Sequence, residues 1–411
     1  MNRLPQPSII VIIAILLTIS FATSMISSCI QTTARTQQAK IELPTLLERD
    51  ARLGSPEERQ TVLDQYSTLS NAIWVNEKDL KSRLKLVQLF LQEARVTGEH
   101  GYYYPEALGL LEGILAANPN QDEQFFALLM KASVQLSLHQ FAAAKQTAEK
   151  AVSINPHNAL VYGALVDANV ELGNYEEAVK MADKMVSIRP DLRSYSRISY
   201  LREIHGQVEG AIEAMQMAVS AGYPGFEETT WCLLNLGHLY ETYGDTMQAR
   251  IQYETALAQR ANYPFAIAAL ARLSKKQGDF EKAEKLLIQA TQIIPEVSFY
   301  EDLALLYKET GREAEATQLS EEIIDMMADD EKSGHEMGLE YATVSLKLFN
   351  DPETALEKTM KEYARRPMNI QVNQRLAEIY TYLGDQENVQ KHLKIANRTG
   401  SRDPELAALN N

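Results

Sequence analysis

Residues 236–256 read LGHLYETYGDTMQARIQYETA, and the placing of their small residues decides the fold. Gly244 can take the left-handed conformation that ends one helix. Ala249, five residues on, lets a second helix pack closely against the first. The same pair recurs at Gly173/Ala178, Gly206/Ala211, Gly278/Ala283 and Gly311/Ala316, with successive glycines 33, 38, 34 and 33 residues apart. Pro156, Pro190 and Pro224 stand 34 residues apart and mark where second helices stop, because proline cannot continue a helix. A period near 34 is the length of a helix–turn–helix unit. The pattern predicts an all-α chain that grows by stacking around one long core, although its 411 residues alone would suggest two or three domains.

The flanking residues sharpen the repeat. One copy has Leu236-Gly237, Tyr240, Gly244, Ala249, Tyr253 and Ala256; the next has Leu270-Ala271, Gly278, Phe280, Ala283, Leu287, Ala290 and Pro295. An earlier one has Leu165, Gly173, Tyr175, Ala178, Ala182 and Pro190. On these residues the chain resembles the tetratricopeptide-repeat family, over roughly residues 84–400. The resemblance implies a right-handed α-solenoid of about nine repeats, near 84–119, 125–156, 159–190, 192–225, 230–264, 264–295, 297–328, 336–367 and 370–400. Repeat two has His139 in the glycine slot, repeat eight has Asn350, and repeat nine has Val389 in the alanine slot. Thr97 to Tyr104 reads as an insertion between the helices of repeat one. Residues 44–83 read as an N-terminal cap or a degenerate repeat, with Ser55-Pro56-Glu57-Glu58 as a helix start. Residues 401–411 form a short tail.

The N-terminus carries a different signal. Positions 4 to 34 hold no charged side chain, and Arg3 precedes the apolar run Ile9 to Ile19, as in a secretory signal. Ile26-Ser27-Ser28-Cys29 resembles a bacterial lipobox. That resemblance implies a signal peptide over 1–28, a diacylglycerol on Cys29 and a polar tether over 29–43. Ile26 and Ser28 depart from the commonest residues, and two other readings compete. Ser8–Ile30 is long enough for an uncleaved anchor, and Ala22-Thr23-Ser24 offers an ordinary cleavage site. All three place the repeats outside the cytoplasm. Ile30 after the cysteine favours, by analogy with lipoproteins of two-membrane bacteria, an outer-membrane lipoprotein facing the periplasm.

Composition bounds the partners. The chain has 40 basic and 55 acidic side chains and no basic run, which argues against nucleic acid, whose binding rests on neutralising phosphates. With Cys29 given to lipid, Cys232 stands alone, so neither a disulfide framework nor a cysteine zinc site is expected. Seven histidines form no His-Glu-x-x-His, and there is no nucleophile elbow or phosphate loop. The expectation is a non-enzymatic scaffold with no metal or cofactor, binding a protein or peptide. The alternative is an enzyme, or an obligate enzyme subunit, with a site grafted on the solenoid. A perturbed His/Glu pocket around His205 and His238 would be its sign.

In this fold the first helix of each pair lines the concave groove. The stretch 189–202 concentrates four arginines and two tyrosines there in an otherwise acidic protein. Arg193 and Arg197, four apart, share one helix face and suit a carboxylate. By resemblance they fall in slots where chaperone-adaptor repeats grip a C-terminal carboxylate. The further clamp positions, Leu129, Ser133 and Ala164, cannot do that job. The bland reading pairs the arginines with Asp167, Glu203 or Asp191. Partner-binding candidates are Arg193, Arg197, Tyr200 and Arg202, with Tyr102 and Tyr103 from repeat one.

Overall fold

The computed structural model describes residues 43–410. Among them are twenty α-helices and no strand. After an irregular segment, α1 (Pro56–Val75) begins at Ser55, whose hydroxyl accepts the Glu58 N–H at 3.1 Å. Nine antiparallel pairs follow. Their first helices are α2 (Leu80–Thr97), α4 (Gln121–Ser137), α6 (Ala159–Glu171), α8 (Leu192–Ile204), α10 (Glu227–Thr242), α12 (Pro264–Lys276), α14 (Val297–Glu309), α16 (Gly338–Lys347) and α18 (Ile370–Leu383). Their second helices are α3 (His100–Ala116), α5 (Phe141–Ile154), α7 (Tyr175–Ile188), α9 (Val208–Ala221), α11 (Thr246–Gln259), α13 (Phe280–Thr291), α15 (Glu313–Lys332), α17 (Pro352–Arg365) and α19 (Gln386–Ala396). A short α20 (Pro404–Leu409) covers the last pair by burying Leu406 against Ala377, Val389 and Leu393. The chain is a right-handed α-solenoid of tetratricopeptide type.

The repeat slots perform the roles their chemistry suggests. Ala144, Ala178, Ala211, Ala249, Ala283, Ala316 and Ala355 are all buried where two helices meet. His139 and Asn350 take the glycine slot with φ of 58° and 52°, accepting a backbone that most side chains avoid. Val389, in the alanine slot of repeat nine, is buried as well.

Repeat one corrects the sequence reading. There is no inserted loop between Thr97 and Tyr104: α2 runs to Thr97, Gly98 turns at φ 75°, and α3 starts at His100. The extra residues lengthen helices instead of looping out. Pro105 lies inside α3 and has no N–H to give the carbonyl four residues back. That carbonyl, of Gly101, accepts the Ser333 hydroxyl at 3.1 Å, from a residue 232 positions away.

This long-range bond belongs to a seam. The solenoid winds so tightly that one superhelical turn packs on the next. Leu138 O accepts the Glu336 N–H at 3.1 Å, and Gly334 O accepts from Gln140 at 2.9 Å. Further along, Arg366 meets Glu171 at 2.6 Å, and the Tyr175 hydroxyl accepts the Ile370 N–H at 2.8 Å. These partners are 194 to 198 residues apart, a little under six repeats. Gly173 sits in the seam, and a methyl group there would overlap the Met368 carbonyl.

At the N-terminal end four charged groups make a second tie. Arg49 forks onto Glu93 and also reaches Glu58 at 2.8 Å. Glu58 in turn receives both arms of Arg260 at 2.8 and 3.0 Å, 202 residues away. Arg49, Glu93 and Arg260 are buried. Burial works against the Glu58 charge, but the two guanidiniums hold its carboxyl below the ordinary range.

Candidate binding cavity

Because the turns meet, the concave face forms a half-open cavity with two chambers. The first measures about 530 Å³ and is walled by Asp167 of α6, by α8 and α10, and by Arg95 of α2. Arg193, Arg197, Tyr200 and Glu203 line it from α8, a spacing of four, three and three that keeps them on one helix face. From α10 come Glu228, Trp231, Asn235 and His238, with the same periodicity. The second chamber, about 980 Å³, shares Arg95, Glu227 and Trp231 with the first. It extends to the starts of α3 and α14 and to the loop between α15 and α16.

Arg197 and Arg193 reach the first chamber with their charges already engaged. Arg197 makes a two-pronged contact with Asp167 at 2.9 and 2.6 Å and also donates to the carbonyls of Gly163 and Arg193. Gly163 leaves the space this guanidinium occupies, since a Cβ there would lie 3.2 Å from its central carbon. Arg193 pairs with Glu228 at 2.5 Å, an acid outside the expected set. Asp191 instead caps α8 and pairs with Arg189. These pairs hold each fork rigid while leaving Arg193 39% and Arg197 27% exposed to the cavity. Burial pushes the Tyr200 phenol well above its usual range, so it stays a neutral donor.

The remaining candidates separate from this group. Arg202 turns away from the cavity and donates to the Gly210 carbonyl of α9 at 2.8 Å. Tyr103 is not available to a partner: it is fully buried, and its hydroxyl accepts the Leu47 N–H at 3.0 Å. Tyr102 lines the second chamber but donates its hydroxyl to the Thr45 carbonyl at 2.9 Å. Both tyrosines pin the irregular segment before α1 because they lie in the first turn of α3, under that segment. Cys29 and the tether lie outside the described residues except for Leu43, which is buried in the N-terminal core instead of extending as tether. Cys232 is buried, and burial raises its thiol to about 12, which keeps it unreactive.

Two residues central to the cavity were not singled out from the sequence. Trp231 is 44% exposed although it stands inside the superhelix, and Arg95 is exposed there with no ion pair among the described residues. The signal for Trp231 was available: one 34-residue period carries Arg197 onto position 231. Arg95 carried no such mark, since its side of the cavity is formed by closure.

Perturbed titrating groups also occur. Burial, with the charge of Asp403, raises Glu203 to about 7; burial, with Arg272, lowers His238 to about 4. His238 Nε2 is engaged by Arg272 at 2.8 Å, and His205 faces the Leu201 carbonyl at 2.7 Å. No hydrogen bond joins Glu203 to either histidine among the described residues.

Acid should weaken the fold through its buried imidazoles. Burial holds His335 down to about 3 and His392 and His238 down to about 4. The unfolded chain takes up these protons near 6.5, so the stabilisation is complete above that pH and is lost as pH falls toward 3. The slope approaches ~1.4 kcal/mol per pH unit for each histidine. Glu203 works in the opposite sense, adding stability as pH falls from about 7 toward its unfolded value. Neither ring nitrogen of His335 has a hydrogen-bond partner among the described residues. Thermal melts at pH 7 and 5 should therefore show a smaller acid loss for His335→Leu than for the parent chain; an unchanged loss would contradict the assignment.

Comparison with known proteins places the scaffold. Models of the tetratricopeptide repeat match residues 135–202 and 266–296. The chain carries tetratricopeptide repeats. The small glutamine-rich tetratricopeptide repeat-containing protein 2 of Saccharomyces cerevisiae is 36% identical over 66 residues, 16% of this chain and 19% of that protein. The match thus spans about a fifth of that relative's length. Among solved structures, a human IFIT1 dimer with PPP-AAAA aligns over 83% of this chain and 77% of its own, at 15% identity and a TM-score of 0.50. Pseudomonas aeruginosa PilF aligns over 50% of this chain and 93% of its own, at 18% identity and a TM-score of 0.41. At such identities the likeness is one of fold.

Proposed function

We propose that this chain is a non-enzymatic interaction scaffold that holds a segment of a protein partner inside its superhelix. The observation that carries the reading is the cavity wall itself. Trp231 and Arg95 stand exposed beside the pre-oriented forks of Arg193 and Arg197, and tryptophan and arginine are the residues that most often anchor interfaces. The uncharged N-terminal stretch ending at Cys29 supports a lipid tether on the extracytoplasmic side, with the outer membrane of a two-membrane bacterium as its site.

Crosslinking and mass spectrometry on the tethered protein in its own envelope tests both parts. The expected result is a partner crosslinked to residues lining the cavity, with capture falling about tenfold in Trp231→Ala and in Arg193→Glu/Arg197→Glu. Equal capture by these variants would remove the cavity from the reading. Lipid labelling that survives Cys29→Ala would remove the tether.

A grafted enzyme site is the second reading, and Glu203 favours it, a carboxyl titrating near neutrality in a cavity wall. Against it, the hydroxyls of Ser196 and Ser199 in that wall are committed to the carbonyls of Arg193 and Ala211.

A further inference from the structure

The second chamber is charged in one sense. Its walls carry seven carboxylates against a single guanidinium, that of Arg95. Elsewhere this protein gives its buried carboxylates arginine partners, as at Glu93 with Arg49 and Glu362 with Arg366. In the chamber Glu227, Glu296, Glu301 and Asp330 have no ion pair among the described residues, and burial raises all four above the ordinary carboxylate range. Negative charge there is desolvated and only partly offset, at Glu227 by Arg95 and Arg260 and at Glu301 by Lys347 and Arg375, a condition that a bound cation relieves further.

Two observations of another kind indicate an occupant. Trp231 presents an exposed ring at the junction of the chambers, where a cation can lie over its face. His335 lines the same chamber with both ring nitrogens buried and without a hydrogen-bond partner among the described residues. Burial keeps its imidazole neutral, so a turn of the ring would present one nitrogen as an acceptor to an ammonium or guanidinium N–H.

We infer that the second chamber seats lysine or arginine side chains of an extended partner segment, between the carboxylates of Glu296, Glu301 and Asp330 and the ring of Trp231. This rests on the reading that the cavity holds a protein segment, and it names that segment's chemistry. The first chamber, with its paired arginines, then receives a part of the same segment that is neutral or acidic. Cationic side chains entering the second chamber meet carboxylates that hold no ion pair among the described residues, so none of the existing pairs need be displaced.

The probes are an amidated (Lys-Ser)3 peptide and its (Glu-Ser)3 counterpart, added to the chain carrying Trp74→Phe. The sequence has two tryptophans, so Trp231 alone then reports binding by fluorescence. The lysine peptide should change the emission, with an affinity that falls as salt rises. Glu296→Gln/Glu301→Gln should weaken it by about tenfold or more. That variant should melt at the same or a higher temperature, because an amide avoids the cost of a buried charge, so lost binding is not lost folding. Equal binding by the double variant, a response to the glutamate peptide alone, or no response to either overturns the inference. Should envelope capture still depend on Arg193 and Arg197 while the lysine peptide gives no signal, the scaffold reading stands and only the cationic seat falls.

Discussion

Arg49→Ala is expected to cost about 3–5 kcal/mol of stability and to release the N-terminal segment from the body of the solenoid. Arg49 is the hub of the four-charge chain, and its loss strands Glu93, whose side chain is 0% exposed, without a counter-ion. The penalty comes from the group left behind more than from the bonds removed. Replacing both partners, as Arg49→Met with Glu93→Leu, should therefore cost much less than Arg49→Ala alone. Arg260→Ala should be milder, since Glu58 is 27% exposed and keeps Arg49 as a partner. Urea melts of the set, with protease cleavage of residues 43–75 as a local readout, check the order. Comparable losses for Arg49→Ala and the double variant would show that the charge chain is not what holds this end.

Gly173→Ala should open the turn-to-turn seam. A residue there with φ 76° pays about 1–2 kcal/mol for the left-handed backbone, wherever it stands in a fold. At this position the methyl also overlaps the Met368 carbonyl and the Asn369 amide, which adds about 1–3 kcal/mol of crowding. Gly311 provides the control: its φ is 74° and nothing lies within 4 Å of the added carbon. Gly311→Ala should lose stability without a change of shape. Gly173→Ala should lose more and show a larger radius of gyration by small-angle scattering, as the contacts of Glu171 and Tyr175 with the following turn part. Equal radii for the two variants would mean that the seam absorbs the methyl group.

These variants separate two kinds of glycine that look identical in the sequence. Gly173 and Gly311 occupy the same repeat slot, with an alanine five residues on, and both end a helix. Only Gly173 also lets a distant backbone approach. Similarly, Arg193 and Arg197 were legible as a groove pair from their spacing, and Asp167 as an acid that could meet them. Glu228 as the partner of Arg193 was not, because it comes from the next repeat's first helix. Tyr102 and Tyr103 were legible as an oddity of repeat one. The Leu47 N–H that donates to Tyr103 and the Thr45 carbonyl that accepts from Tyr102 lie 56 and 57 residues away, in a segment without periodicity.

Helix ends and helix pairing depend on residues within one 34-residue unit, so glycine, alanine and proline at fixed offsets were enough to specify the repeats and their nine-fold stacking. Proline at a helix stop, or alanine at a helix contact, acts on its immediate neighbours, and a linear pattern records such effects directly. The closure of the groove is different in kind. It follows from the small rotation between successive repeats, accumulated over about 195 residues until Glu171 meets Arg366. No single slot encodes that sum, and small changes of angle in each pair would leave the groove open. Arg95 and Trp231 in one cavity wall, and carboxylates of the second chamber without an ion pair among the described residues, are therefore products of the tertiary winding alone.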